Sequence, residues 1–150
     1  FLDAKIRPAD IVILVQKEVA EDIVARDHKE SVGSIAVKIY GSPKIISSVP
    51  RGSFVPPPTV DSAILHIQHI RDPFENDAER KIFFHIVKTG FRSKRKTILN
   101  TLSTLHAKEE MYVLLSQAGI DPGTRPETLN PDDWMRLTKC LASKLLIHQD

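Results

Sequence analysis

Five consecutive aliphatic residues, Ile11–Val15, run directly into apolar positions at helical spacing, Val19, Ala20, Ile23 and Val24. An unbroken aliphatic run predicts a strand buried on both faces, the habit of parallel sheets. The change of period predicts a helix from about Gln16 to Arg26, and a strand feeding straight into a helix is an α/β unit. Ahead of the run lies a polar lead-in over 3–10; behind the helix, Asp27–Ser31 is a charged loop. The pattern in Val32–Tyr40 supports two readings: alternation fits a strand, while Ile35, Ile39 and Tyr40 fit one face of a helix. Gly41-Ser42-Pro43 ends that segment, and Lys44–Val49 predicts a short strand. After a turn at Arg51–Phe54, three consecutive prolines, Pro56–Pro58, lead into the β-branched and apolar stretch Val60–Ile70, a further strand. Strands joined this closely are expected to be antiparallel neighbours.

From Asp72 onward the strand signal stops, which places a domain boundary at about Arg71–Asn76. Ile82, Phe83, Ile86 and Val87 stripe one helix ending near Gly90, and Ile98, Leu99, Leu102 and Leu105 stripe a second. Met111, Leu114, Leu115 and Ala118 stripe a third, which Gly119 stops from the C′ position. The last helix opens with Asn130 as N-cap, Pro131 at N1 and Asp132 and Asp133 in its first turn, with Trp134, Leu137, Leu141 and Leu145 facing inward. Short loops between four amphipathic helices predict a small bundle. The fold class is therefore α/β in residues 1–71 and all-α in residues 72–150, with no internal repeat.

Composition narrows the function only a little. A net charge of +2 over 150 residues does not demand a polyanionic partner, so any case for nucleic acid depends on where the cations sit. The lone cysteine, Cys140, rules out an intrachain disulfide and fits a reducing, cytoplasmic setting. No window is apolar enough to span a membrane, and no signal peptide opens the chain.

Two features carry candidate chemistry. The prolines fix φ and remove backbone donors, making a stiff strap, and Phe54 sits at its start. That ring either plugs the beginning of a strand or is held out as a stacking platform for a flat ligand. Arg92, Lys94, Arg95 and Lys96 place four cations in five positions ahead of a predicted helix, with Lys88 within reach of the same surface. They are either a solvated face or a phosphate-binding patch at a helix N-terminus, where unpaired cations would oppose the macrodipole. His66 and His69, three apart on a strand, face opposite sides and exclude a shared metal; His28, His85, His106 and His148 have no partner at ligand spacing. Glu18 and Glu21 read as a solvated pair, and Cys140 as a core residue. No Gly-x-Gly-x-Gly follows a strand.

The strap Phe54-x-Pro56-x-Pro58-x-Val60-Asp61-Ser62-Ala63 resembles the proline-rich motif of ribosomal RNA adenine N6-dimethyltransferases. The likeness extends to Leu14–Ala20, to Gly90-Phe91-x-x-x-Arg95-Lys96-Thr97, to Gly119-Ile120-Asp121-Pro122 and to Arg125-Pro126-Glu127-x-Leu129, in the family's order. Val32-Gly33 stands where many members have Tyr-Gly or Phe-Gly, and Ile35 where Leu is usual. The resemblance implies a helix over Val32–Tyr40. It further implies that residues 1–71 are the trailing half of a Rossmann-like methyltransferase domain, keeping one parallel strand and the closing antiparallel pair, and that 72–150 form a helical RNA-binding domain. The family moves methyl groups from S-adenosylmethionine to N6 of two adjacent adenines in small-subunit ribosomal RNA. By that likeness Phe54 holds the target base, while Lys88, Arg92, Lys94, Arg95 and Lys96 contact RNA within a pre-30S particle, with no metal. Arg125-Pro126-Glu127 is expected to supply a cap and an ion pair at the last helix. The family's adenine-binding Asn/Asp-Leu/Pro-Pro-Tyr/Phe motif and its glycine-rich donor loop are both missing from this sequence. The chain alone is therefore expected to bind no methyl donor and to be inactive. A non-catalytic RNA-binding or ribosome-assembly module is the alternative. The Asp61-Ser62-Ala63 ending leans toward the housekeeping branch.

Overall fold

The computed structural model describes residues 2, 4 and 6–147, with side chains of the last helix described up to Lys144; the predicted inward Leu145 side chain and His148 lie outside that set. The chain divides into two units, Phe1–Pro73 and Phe74–Asp150.

In the first unit, strand β1 (Ile11–Gln16) passes at Gln16 directly into helix α1 (Lys17–Ile23). Helix α2 (Val32–Lys38) follows, so the ambiguous segment is helical. Its start is fixed by a reciprocal cap: Ser34 N–H donates to Ser31 Oγ at 3.0 Å, and Ser31 N–H to Ser34 Oγ at 2.7 Å. Strands β2 (Ser42–Val49) and β3 (Ser62–Gln68) complete a three-stranded sheet in the order β1-β3-β2. Every adjacent pair is antiparallel, with Ile11 opposite Ile67, Val15 opposite Ala63, and Val49 opposite Ser62. A register shift between Ile45 and Ser47 marks a bulge that leaves Ile46 exposed.

The prediction for β1 requires correction on two counts. Its described partner runs antiparallel to it, and it is not buried on both faces: Val12 and Leu14 are 63% and 51% exposed. A run of aliphatics registers hydrophobicity but not the direction of the neighbouring strand. The core lies on one face only. There Ala63, Leu65 and Ile67 of β3 pack with Ala20 of α1, joined by Ile11, Val15, Ile23, Val24, Val37 and Ile45. The alternation of β3, with every second residue buried, follows from this one-sided cover.

In the second unit, helices α3 (Asp77–Gly90), α4 (Ile98–Leu102), α5 (Lys108–Gln117) and α6 (Pro131–Ile147) surround a core of Phe83, Ile86, Ile98, Leu102, Met111, Leu115, Trp134 and Leu137. Helix α5 ends as predicted at Gly119, whose φ of 71° lies in the left-handed region. Gly119 N–H donates to Ser116 O and Ile120 N–H to Leu115 O, the paired bonds of a Schellman closure. Helix α6 is capped by Asn130, whose Oδ1 accepts from Asp133 N–H at 2.9 Å while Asp133 Oδ2 accepts from Asn130 N–H at 2.9 Å. The cap predicted at Arg125–Glu127 is thus supplied by Asn130 and Asp133. Pro126–Thr128 instead forms a single tight turn with Pro126 buried. Cys140 is half-buried rather than a core residue.

Candidate nucleic-acid interface

In the first unit the strap is a closed loop rather than a loose arm. Arg51–Ser53 form one tight turn, in which Ser53 N–H donates to Pro50 O and Phe54 N–H to Arg51 O. The Val55–Pro56 bond is cis. At the far end, the Asp61 carboxylate accepts from Arg51 N–H at 3.0 Å, and the Arg51 guanidinium donates to Thr59 O at 3.3 Å. The Asp61 carbonyl accepts from Lys17 N–H at 3.0 Å, joining the strap's exit to the start of α1. Phe54 is half-buried, and residues 55–60 beyond it are exposed, Val55 completely. Phe54 is therefore neither in the core of the unit nor free in solvent.

An open cavity of about 640 Å³ beside the strap is lined by Gln16, Lys17, Glu18, Glu21, Arg51, Val60 and Asp61. Three carboxylates and two cations make it polar and nearly balanced in charge. Glu21 pairs with Arg26, as expected of a solvated helix face. Among the described residues no group of histidine, cysteine, aspartate or glutamate side chains is placed to hold a metal ion. His69 lies beyond the end of β3, where its N–H donates to Asp10 Oδ1.

In the second unit, Lys88 projects from the last turn of α3, and Arg92, Lys94, Arg95 and Lys96 occupy the connection to α4. All five are exposed. The expectation that the cluster forms the first turn of a helix with free N–H groups is not met. Helix α4 begins only at Ile98, and its leading donors are already used: Ile98 N–H bonds Thr124 O at 2.7 Å, Leu99 N–H bonds Pro122 O, and Asn100 N–H bonds Thr97 Oγ. Carbonyls from the loop between α5 and α6 occupy the positions a phosphate would need. The cations thus form a surface patch on a turn-rich connection, where Arg92 N–H closes on Thr89 O and Lys96 N–H on Ser93 O.

Gly90 supports this connection in a way the spacing alone does not reveal. A methyl group built on Gly90 would lie 2.4 Å from Cη2 of Trp134, a ring with no exposed surface. Phe91 stacks at a tilt on the same indole, with ring centroids 5.6 Å apart. The Gly90-Phe91 pair clamps Trp134, so the basic connection departs from a rigid point. A model of the family described as Ribosomal RNA adenine dimethylase matches residues 1–143.

The chain belongs to the ribosomal RNA adenine dimethylase family.

Curated relatives agree. The chain is 41% identical over 139 residues to the Ribosomal RNA small subunit methyltransferase A of Dehalococcoides mccartyi, covering 91% of this chain and 48% of that protein. The like-named protein of Enterococcus faecalis is 36% identical over 148 residues, covering 94% of this chain and 50% of its own length. The chain therefore spans about half the length of the curated relatives it matches. Among solved structures, a dimethyladenosine transferase from Plasmodium falciparum superposes with a TM-score of 0.78 at 24% identity, over 95% of this chain and 61% of the other. The 23S rRNA methyltransferase ErmE superposes at 0.68 and 22%, over 94% and 57%. These two likenesses establish the mixed α/β and helical fold that the adenine dimethylase family shares.

Proposed function

We propose that this chain is the second half of a small-subunit ribosomal RNA adenine N6,N6-dimethyltransferase. In this reading it carries the end of the Rossmann-like domain and the helical RNA-binding domain of a cytoplasmic enzyme acting on a pre-30S particle. Phe54 stacks on the target adenine, a contact worth ~1–3 kcal/mol per base and comparable to the cost of drawing a base out of its stack. Lys88, Arg92, Lys94, Arg95 and Lys96 bind backbone phosphates. The observation that carries the reading is the half-buried Phe54 on a strap closed at both ends, in a chain whose family acts on adenine.

The methyl donor, S-adenosylmethionine, does not fit the residues described. β1 enters α1 at Gln16 with no glycine in the turn, so the close backbone approach that a glycine-rich donor loop provides is missing there. The same observation favours a second reading, an RNA-binding module that is not catalytic by itself.

Two measurements test these readings. Calorimetry of the chain with S-adenosylmethionine is expected to show no binding; micromolar affinity would overturn the claim that the donor site lies elsewhere. Replacing Arg92, Lys94, Arg95 and Lys96 by Ala should weaken RNA binding and flatten its salt dependence by roughly 0.7–0.9 in slope per lost phosphate contact. An unchanged slope would remove the patch from the interface.

A further inference from the structure

We infer that Asp61 is a positioning residue for Phe54, an inference that rests on the base-platform reading above. The strap leaves the sheet at Pro50 and returns at Ser62, and its middle is built from prolines that donate no backbone hydrogen bonds. Such a segment has few backbone donors of its own, and Asp61 ties it at both ends. Its carboxylate accepts Arg51 N–H at 3.0 Å, which holds the tight turn immediately before Phe54. Its carbonyl accepts Lys17 N–H at 3.0 Å, which ties the return to α1. The Arg51 side chain adds a third tie to Thr59 O at 3.3 Å. The side-chain bond is the one that determines where the ring goes, because Phe54 N–H itself donates to Arg51 O within that turn. Losing the Asp61 carboxylate frees Arg51, and with it the turn that orients Phe54. The prolines keep the loop extended, but they do not set the direction in which the ring points.

The role requires an acceptor oxygen rather than a negative charge, since a single uncharged N–H is the side-chain partner described. Asparagine should therefore substitute and alanine should not. The experiment uses the 150-residue chain with a 4-fluorophenylalanine label at 54 and a single-stranded RNA bearing 2-aminopurine, whose fluorescence falls when the base stacks. In D61A, exchange of the Arg51 amide should rise about five- to tenfold, as expected for loss of one hydrogen bond, and the fluorine resonance should shift toward its solvent-exposed position. Stacking on 2-aminopurine should weaken about fivefold with no change in salt slope. D61N should stay within about twofold of wild type in each respect, and D61A/F54A should be no worse than F54A alone, because the two residues act as a unit.

The inference is overturned if D61A leaves either Arg51 amide protection or the fluorine resonance at its wild-type value, if D61N fails as badly as D61A, or if the losses of D61A and F54A add. Failure of the underlying reading looks different. In that case F54A leaves 2-aminopurine fluorescence unchanged, while amide exchange and the fluorine signal still decide whether Asp61 orients the ring.

Discussion

Replacing Gly90 by Ala should destabilise the helical unit although alanine is the better helix former. Gly90 is the last residue of α3 and has ordinary helical backbone, so propensity alone would favour the change by up to ~1 kcal/mol. Packing opposes it. The new methyl carbon would sit 2.4 Å from Trp134 Cη2, 3.1 Å from Cζ3 and 3.3 Å from Ile98 Cδ1. Trp134 and Ile98 are both fully buried, so neither can swing into solvent to make room. Overpacking of a closed site costs ~1–3 kcal/mol, and a contact this short belongs at the upper end. After the propensity gain the net loss is about 1.5–2 kcal/mol. At roughly 4–8 °C per kcal/mol for a unit of this size, the melting transition should fall by about 6–16 °C. Differential scanning calorimetry or urea melts followed by Trp134 fluorescence would measure it. Shortening the indole should relieve the clash, so G90A/W134F should lose less stability than the sum of the single changes. A G90A protein that melts at or above the wild-type temperature would refute the packing argument.

Other substitutions test other parts of the framework. Gly119→Ala places a side chain at φ 71° and should cost ~1 kcal/mol in chemical denaturation, whereas Gly119→Asn should cost less. Gly41→Ala would bring a methyl group within 2.7 Å of Gln68 O, a backbone atom held in the sheet; the melt of the first unit should drop while that of the second is unchanged. Asn130→Ala removes the acceptor for Asp133 N–H and should cost about 1 kcal/mol, with Asn130→Ser restoring most of it. Phe54→Ala should scarcely change the melting temperature, because the ring is only half-buried, yet should reduce stacking on RNA; a large thermal loss would mark Phe54 as a core residue instead.

The sequence made the elements plain wherever periodicity or a terminator was local. The stripe Ile82, Phe83, Ile86, Val87, the stop at Gly119 and the Asn130 cap all stand in the structure as the pattern predicts. Features set by distant partners were not legible. Nothing in Ile11–Val15 states that β3 would lie beside it running the other way. The helical start at Ser31 is sealed by a second serine, Ser34, a weaker signal than the usual acidic residue three positions on. For the candidate interface, charge clustering revealed which residues are exposed. It did not reveal that Pro122 and Thr124 would take the N–H groups of α4, which moves the cations off a helix end and onto a turn. The Gly90-Phe91 motif was readable as a motif, but its reason is Trp134, which no spacing rule connects to it.

The use of Pro122 and Thr124 carbonyls to finish α4 has a consequence for the order in which this surface matures. The positively charged connection is encoded before the residues that seat its downstream end, so a nascent polypeptide exposes those cations first as an unanchored segment. Their arrangement awaits the arrival of the α5–α6 loop. The arrangement of the basic patch is accordingly a late-forming property of the helical unit, set when its last connection closes.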